Sequence, residues 1–185
     1  IGAPWTLAVY MFGLKKNKNE IDLDELKKLE SDFKIVFNKL NDYLCAHIEL
    51  QIDAGADTIQ IFDSWAGLIP HEKLFDYCYE PNKKIVDFCK KKNIPVICFP
   101  KGIKKNYLNF ANIVKPDCLS LDYEIDPVWA KDNLSSFCLQ GGMDPKILFK
   151  DEVEIFKEID RYLNIFKDHP YIFNLGHGLL PETNP

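Results

Sequence analysis

Two short stretches hold the side chains best suited to chemistry. "IFDSWAG" (61–67) sets a carboxyl, a hydroxyl and an indole side by side in Asp63, Ser64 and Trp65. "NLGHG" (174–178) puts His177 between two glycines, where the missing Cβ atoms let a backbone or a ligand come close. Carboxyl and imidazole groups can move protons, and hydroxyl, amide and indole groups can hold a ligand's oxygens. Each residue also has a plain structural use. Asp63 and Ser64 can cap the next turn, Trp65 can pack, and a single histidine after a strand is commonly a satisfied structural group.

Other chemistries fit the sequence less well. No G-x-S-x-G elbow surrounds Ser64, and none of the six cysteines sits in an evident electropositive turn. The cysteines form no C-x-x-C pair and fall mostly in apolar segments, as small buried hydrophobes do. Asp63, Asp122, Asp144 and His177 could converge on an ion, yet there is no H-x-C, H-x-H or H-E-x-x-H pair, so no metal site is expected. His47, His71 and His169 suit a helix interior, a helix start and a loop position before proline.

The elements that must position these groups alternate along the chain. "WTLAVYMF" (5–12) reads as a strand or strand end, and "GADTIQIFDS" (55–64), "IPVICFPKG" (94–102), "DCLSLDY" (117–123), "SFCLQGG" (136–142) and "YIFNLGHG" (171–178) as strands. Between them, Leu23, Leu26, Leu29, Phe33, Phe37, Leu40, Leu44 and Ile48 recur at helical spacing, in one or two amphipathic helices. A helix is expected over roughly 71–92, with Leu74, Phe75, Cys78, Ile85 and Phe88 as its apolar stripe. Asp126-Pro127 and Asp144-Pro145 fit N-caps followed by proline in the first helical position.

Strands this apolar, separated by helices, imply a parallel sheet buried on both faces. An open Rossmann-type sheet and a barrel both fit that pattern. The open sheet lacks its G-x-G-x-x-G or G-x-x-x-x-G-K-[ST] signature. A barrel is favoured because Asp63, Ser64, Lys101, Asp122, Gln140, Asp144 and His177 each follow an apolar run, at the strand ends where (β/α)8 enzymes place their chemistry.

With 46% hydrophobic and 28% charged residues, the composition is that of a soluble globular chain, and no apolar stretch is long enough to span a membrane. The N-terminus lacks the features of a secretory signal, so a cytoplasmic location is expected. The net charge of −5 argues against nucleic acid as a partner, and Arg161 is the single arginine. No initial methionine is present and the chain stops soon after "NLGHG", as expected of a piece of a longer protein.

Taken in order, "GAPWTLAVYM" (2–11), "GADTIQIFDSWAGLI" (55–69), "LQGGMDP" (139–145) and "NLGHGLLPETNP" (174–185) resemble the uroporphyrinogen decarboxylase family. The resemblance implies a (β/α)8 TIM barrel, incomplete here, with about the last five to six strands and their helices in one partial domain over residues 1–185. The N-terminal strands and the final helix would be missing. It also implies removal of carbon dioxide from the four acetate side chains of uroporphyrinogen III to give coproporphyrinogen III, with no cofactor or metal, by a homodimer. Matched motif by motif, the substrate-binding residues fall on Tyr10, Ser64 and His177. The family's aspartate general acid and arginine-rich segment have no counterpart, so no catalytic residue is expected within residues 1–185. Gly142 stands where Q-G-N-x-D-P is expected, and Tyr123 where L-D-W is expected.

A corrinoid-dependent methyltransferase of the same superfamily would use zinc held by a His-x-Cys pair, but "VICFPKG" has Cys98 without that histidine. A non-catalytic tetrapyrrole-binding barrel is a further alternative. An incomplete barrel exposes strand edges and apolar helix faces, so residues 1–185 alone are expected neither to fold stably nor to decarboxylate.

Overall fold

The structure is a computed structural model that describes residues 1–17 and 20–184. Five strands, β3 (Ile59–Asp63), β4 (Val96–Pro100), β5 (Cys118–Leu121), β6 (Cys138–Gly141) and β7 (Tyr171–Ile172), form one sheet in that order. Every neighbouring pair is parallel. A helix joins each pair: α3 (Glu80–Lys91), α4 (Tyr107–Val114), α5 (Pro127–Asn133) and α6 (Glu152–Phe166). Strand order follows chain order without reversal, which is how a (β/α)8 barrel winds and not how a doubly wound open sheet does. The chain is a barrel of which five strands are present.

The apolar segment at 5–12 is a helix and not a strand. α1 spans Pro4–Met11, with Ala3 extended at its N-cap and proline in the first turn. Proline has no N–H to lose there, and its fixed φ suits a helix start. The extended backbone lies just before it, where Gly2 bridges Phe62 in parallel at the free edge of β3. Phe62 N–H donates to Ile1 O at 2.8 Å and Ala3 N–H donates to Phe62 O at 2.9 Å. Trp5, Ala8 and Val9 are buried in the core that α1 forms over the strand end.

A short antiparallel hairpin follows, β1 (Lys15–Asn17) with β2 (Glu20–Ile21). The heptad-like run is a single helix, α2 (Leu23–Asp53), capped by Asp22, whose carboxylate accepts from the backbone N–H groups of Asp24 and Glu25. Its stripe of Leu26, Phe33, Phe37, Leu44 and Ile48 is buried, whereas Leu23 faces solvent.

The helix expected over 71–92 is broken into a 3₁₀ turn at His71–Lys73, a π-helical turn at Phe75–Tyr79, and α3. Pro81 has no N–H to return to the carbonyl four residues earlier, so the wider turn fits there. The turn buries Tyr77, Cys78 and Tyr79 together and leaves Phe75 exposed, outside the stripe assigned to it. The two Asp-Pro caps form as expected: Asp126 accepts from Trp129 N–H at 2.8 Å and Asp144 from Lys146 N–H at 2.9 Å. All six cysteines are free, with Cys78, Cys89, Cys98 and Cys118 buried and Cys45 and Cys138 half-buried. Among the described residues no helix is long and apolar enough to cross a membrane.

Candidate functional site

Alternation along β3 decides which residues at its end meet a ligand. Ile59, Ile61 and Asp63 are buried in the layer between sheet and helices, while Gln60, Phe62 and Ser64 point to the opposite, inner face. A period of two therefore separates the neighbours Asp63 and Ser64. Asp63 is 1% exposed. Its Oδ1 accepts from the Thr6 hydroxyl at 2.8 Å and its Oδ2 from Asn82 Nδ2 at 3.0 Å. Burial pushes its carboxyl up to about 6, against these hydrogen bonds, which lower it. It ties α1 and α3 to the strand and does not reach the inner face.

Asp122 is also structural. Its carboxylate accepts from Gly102 N–H at 2.7 Å, Glu124 N–H at 3.0 Å and the Tyr107 hydroxyl at 3.3 Å. Asp144 caps the turn at Pro145–Phe149. The carboxylates that follow the apolar runs are thus held by nearby backbone and side chains, each in its own place. Among the described residues no group of three or more His, Cys, Asp or Glu side chains is gathered for a metal ion.

Ser64 and His177 do come together. They line one open cleft of about 240 Å³ on the inner face, with Gln60, Phe62, Phe99, Ser120, Gln140 and Asn174. Its floor is a polar pair on neighbouring strands: Ser120 and Gln140 are in register, and Gln140 Nε2 donates to Ser120 Oγ at 3.2 Å. Both are buried, at positions where a barrel interior usually carries branched apolar side chains. Gln60, Ser120 and Asn174 were not among the residues expected from sequence. Counting back by two from Ser64 would have found Gln60, since alternate strand residues share a face. No such count finds Ser120 or Asn174, because their place depends on register with β6 and on the loop after β7.

Tyr10 stands beside this cleft and not in its wall. It is 64% exposed, and its ring meets Trp65 edge-on with centroids 6.2 Å apart. Trp65 in turn is held by its backbone: its N–H donates to Thr6 Oγ1 at 3.4 Å and its carbonyl accepts from the Trp5 indole at 2.8 Å. Through these bonds α1 brings Tyr10 to the residue that follows Ser64.

His177 is exposed, with Nδ1 3.2 Å from Gly178 O and its ring edge-on to Tyr123 at 6.4 Å. It also borders a smaller cleft of about 70 Å³ with Tyr123, Asp144, Lys146 and Leu180. The two glycines around it differ in use. A Cβ on Gly176 would lie 2.5 Å from Tyr123 N, so this glycine permits the β7 loop to press on the β5 loop, whereas a Cβ on Gly178 would meet nothing within 4 Å. The close approach at Gly176 is between backbones, and Gly178 lines the Ser64–His177 cleft. Gly142 has φ +96°, a conformation that glycine and, less readily, asparagine tolerate, so glycine in place of the expected asparagine keeps the local path.

The arrangement is a cleft lined by hydroxyl, amide and imidazole groups at the carboxyl ends of parallel strands, with no Lys, Arg, Asp or Glu in its wall among the described residues. Such a wall can hold a ligand's oxygen atoms by neutral hydrogen bonds. His47, His71 and His169 lie elsewhere, the first bonded to Gln51 at 3.1 Å and the last to Phe137 O at 2.9 Å. Arg161 sits on exposed α6, paired with Glu158 at 3.4 Å.

Comparison with known proteins agrees with this fold. The chain is 35% identical to the uroporphyrinogen decarboxylase of Jannaschia sp. (strain CCS1) over 191 residues, covering 100% of this chain and 55% of that protein. It is 35% identical to that of Rhodospirillum rubrum over 192 residues, with 54% of the relative covered. The chain therefore spans about half the length of these relatives. Among solved structures, a methyltransferase from Methanosarcina mazei superposes with a TM-score of 0.77 at 17% identity, over 99% of this chain and 53% of that one, a likeness of fold alone. The family model for uroporphyrinogen decarboxylase matches residues 1–185, and the chain belongs to that family.

Proposed function

We propose that this chain forms part of the substrate-holding barrel of a uroporphyrinogen decarboxylase, which removes carbon dioxide from the four acetate side chains of uroporphyrinogen III to give coproporphyrinogen III. The observation that carries the reading is the shared cleft of Ser64 and His177, two motif residues far apart in sequence that strand order brings to one wall. Family membership supports the same reaction.

A pyrrole acetate loses carbon dioxide once its ring is protonated and can take up the electron pair. The residues of this chain would bind and orient the macrocycle. The Ser64 hydroxyl, the His177 imidazole and the Gln140 amide, held by Ser120, offer hydrogen bonds along one wall, and Tyr10 offers its hydroxyl at the rim. Phe62 and Phe99, with ring centroids 6.2 Å apart, give that wall an apolar surface against which the pyrrole rings can lie. The proton donor and most of the positive charge would come from the part of the family barrel outside residues 1–185, and a homodimer belongs to the same proposal.

The test is decarboxylation by the complete gene product, meaning the whole protein that contains residues 1–185. Incubated anaerobically with uroporphyrinogen III and followed by separation of the oxidised porphyrins, it should yield coproporphyrin. Porphyrin binding without any loss of carboxyl groups would favour a non-catalytic tetrapyrrole-binding barrel. Stoichiometric zinc would favour the methyltransferase alternative, for which "VICFPKG" holds Cys98 without the histidine of a His-x-Cys pair.

A further inference from the structure

Among the described residues the cleft wall carries no lysine or arginine, and the single arginine is paired on α6. A polycarboxylate needs positive charge, so the rim is where this chain must supply any. Among the described residues, Lys146 and Lys15 are two that border it. Lys146 shares its small cleft with the carboxylate of Asp144. Lys15 differs.

Lys15 opens the hairpin that follows α1, and its Nζ lies 3.9 Å from the centroid of the Trp65 ring. Of its described neighbours, Lys16 faces Asp22 at 3.9 Å, and Asn17 Nδ2 donates to Glu20 at 3.0 Å. Among the described residues Lys15 has no carboxylate partner. The cation–π contact orients the ammonium without neutralising it.

A second, independent feature lies in the same place. Trp65 Nε1–H is buried and has no acceptor among the described residues, although the Trp65 backbone N–H and carbonyl are both bonded. Buried donors are nearly always paired, and this one finds no partner among the described residues. The exposed phenol of Tyr10 meets the same indole. The exposed ammonium of Lys15 and the exposed phenol of Tyr10 thus flank one indole, and donors of these two kinds suit a carboxylate.

We propose that Lys15, Trp65 and Tyr10 form a carboxylate subsite at the rim of the Ser64–His177 cleft, with Lys15 as its charged contact. The subsite takes one side-chain carboxylate of the macrocycle while the ring system lies against the wall, and in this it rests on the proposed substrate. Trp65 follows Ser64 directly, so a ligand in the cleft extends onto the rim without leaving the chain's own surface.

The test uses the complete gene product and its Lys15→Gln, Lys15→Arg, Lys16→Gln and Trp65→Phe variants. Uroporphyrin I, an unreactive polycarboxylate, is titrated at two salt concentrations and followed by quenching of indole fluorescence, with decarboxylation of uroporphyrinogen III measured in parallel. Loss of one rim charge from a carboxylate contact should weaken binding roughly 5–10-fold and flatten its salt dependence. Lys15→Arg should stay within about twofold, since it keeps the charge and the stacking. Trp65→Phe should weaken binding, and Lys16→Gln should match the unaltered protein. Equal binding by Lys15→Gln, or an equal loss in Lys16→Gln, overturns the subsite, and if the unaltered protein still decarboxylates, the proposed function survives. An unaltered protein that neither binds nor decarboxylates overturns both.

Discussion

The Thr6 hydroxyl donates to Asp63 Oδ1 at 2.8 Å, in the buried layer between α1 and β3. The same oxygen of Thr6 accepts the Trp65 backbone N–H at 3.4 Å, so one side chain joins the first helix to the strand end on both sides of Ser64. Thr6→Val keeps the shape and removes both bonds. It should cost about 1–3 kcal/mol, because a buried carboxyl oxygen loses its donor. Denaturant unfolding of the complete gene product measures the loss, and an unchanged midpoint would show that the contact contributes nothing.

Asp63 also makes stability depend on pH. Burial raises its carboxyl to about 6 in the folded chain, against an ordinary value of 3.8. The folded state therefore holds the proton to higher pH than the unfolded state, and this group's contribution to stability falls as pH rises from about 4 to about 6. The difference amounts to about 3 kcal/mol. Asp63→Asn removes the ionisation while weakening the bond from Asn82. Urea midpoints measured from pH 4 to pH 7 should shift in favour of the asparagine variant as pH rises, and parallel curves would sink the assignment.

The two glycines around His177 should respond differently to the same change. Gly176→Ala places a methyl group 2.5 Å from the Tyr123 nitrogen, where only backbone movement relieves the clash. Overpacking of this kind costs about 1–3 kcal/mol, and it should displace His177 from the cleft and lower turnover. Gly178→Ala meets nothing within 4 Å and should leave the melting temperature close to its starting value.

Ser64→Ala and His177→Gln test the cleft itself. Ser64 is half-buried and His177 exposed, so neither change should move the melting temperature by more than a degree or two. Each should lower kcat/KM for uroporphyrinogen by roughly 10-fold, as loss of a hydrogen bond to a charged group does. Steady-state rates on the purified variants decide this, and unchanged rates in both would remove these residues from the site.

Much of the architecture is legible in local pattern. The strands from β3 to β7 lie within the apolar runs, and Asp126 and Asp144 cap their helices as a carboxylate before proline should. The misreadings have local causes too. "WTLAVYMF" is apolar but for Thr6 and the Tyr10 hydroxyl, so its residues show no clear period, and only the docking of Pro4–Met11 on the end of β3 makes it a helix. In the segment after His71, Pro81 opens a π-helical turn that a plain helical period does not anticipate, and Phe75 moves to solvent.

Residue type and spacing were sufficient for the alternation of strands and helices, the caps, and the four ordered motifs that mark the family, because each depends on neighbours close along the chain. Which side chains share a cleft depended on tertiary structure. Asp63 and Ser64 are adjacent, yet the pleat sends one behind the sheet and the other into the cleft. Ser64 meets His177 only because five parallel strands keep chain order, and Tyr10 reaches Trp65 only because Thr6 and Trp5 fasten α1 to the strand end. Register and packing between distant segments set these contacts, and neither is written in any single stretch of sequence.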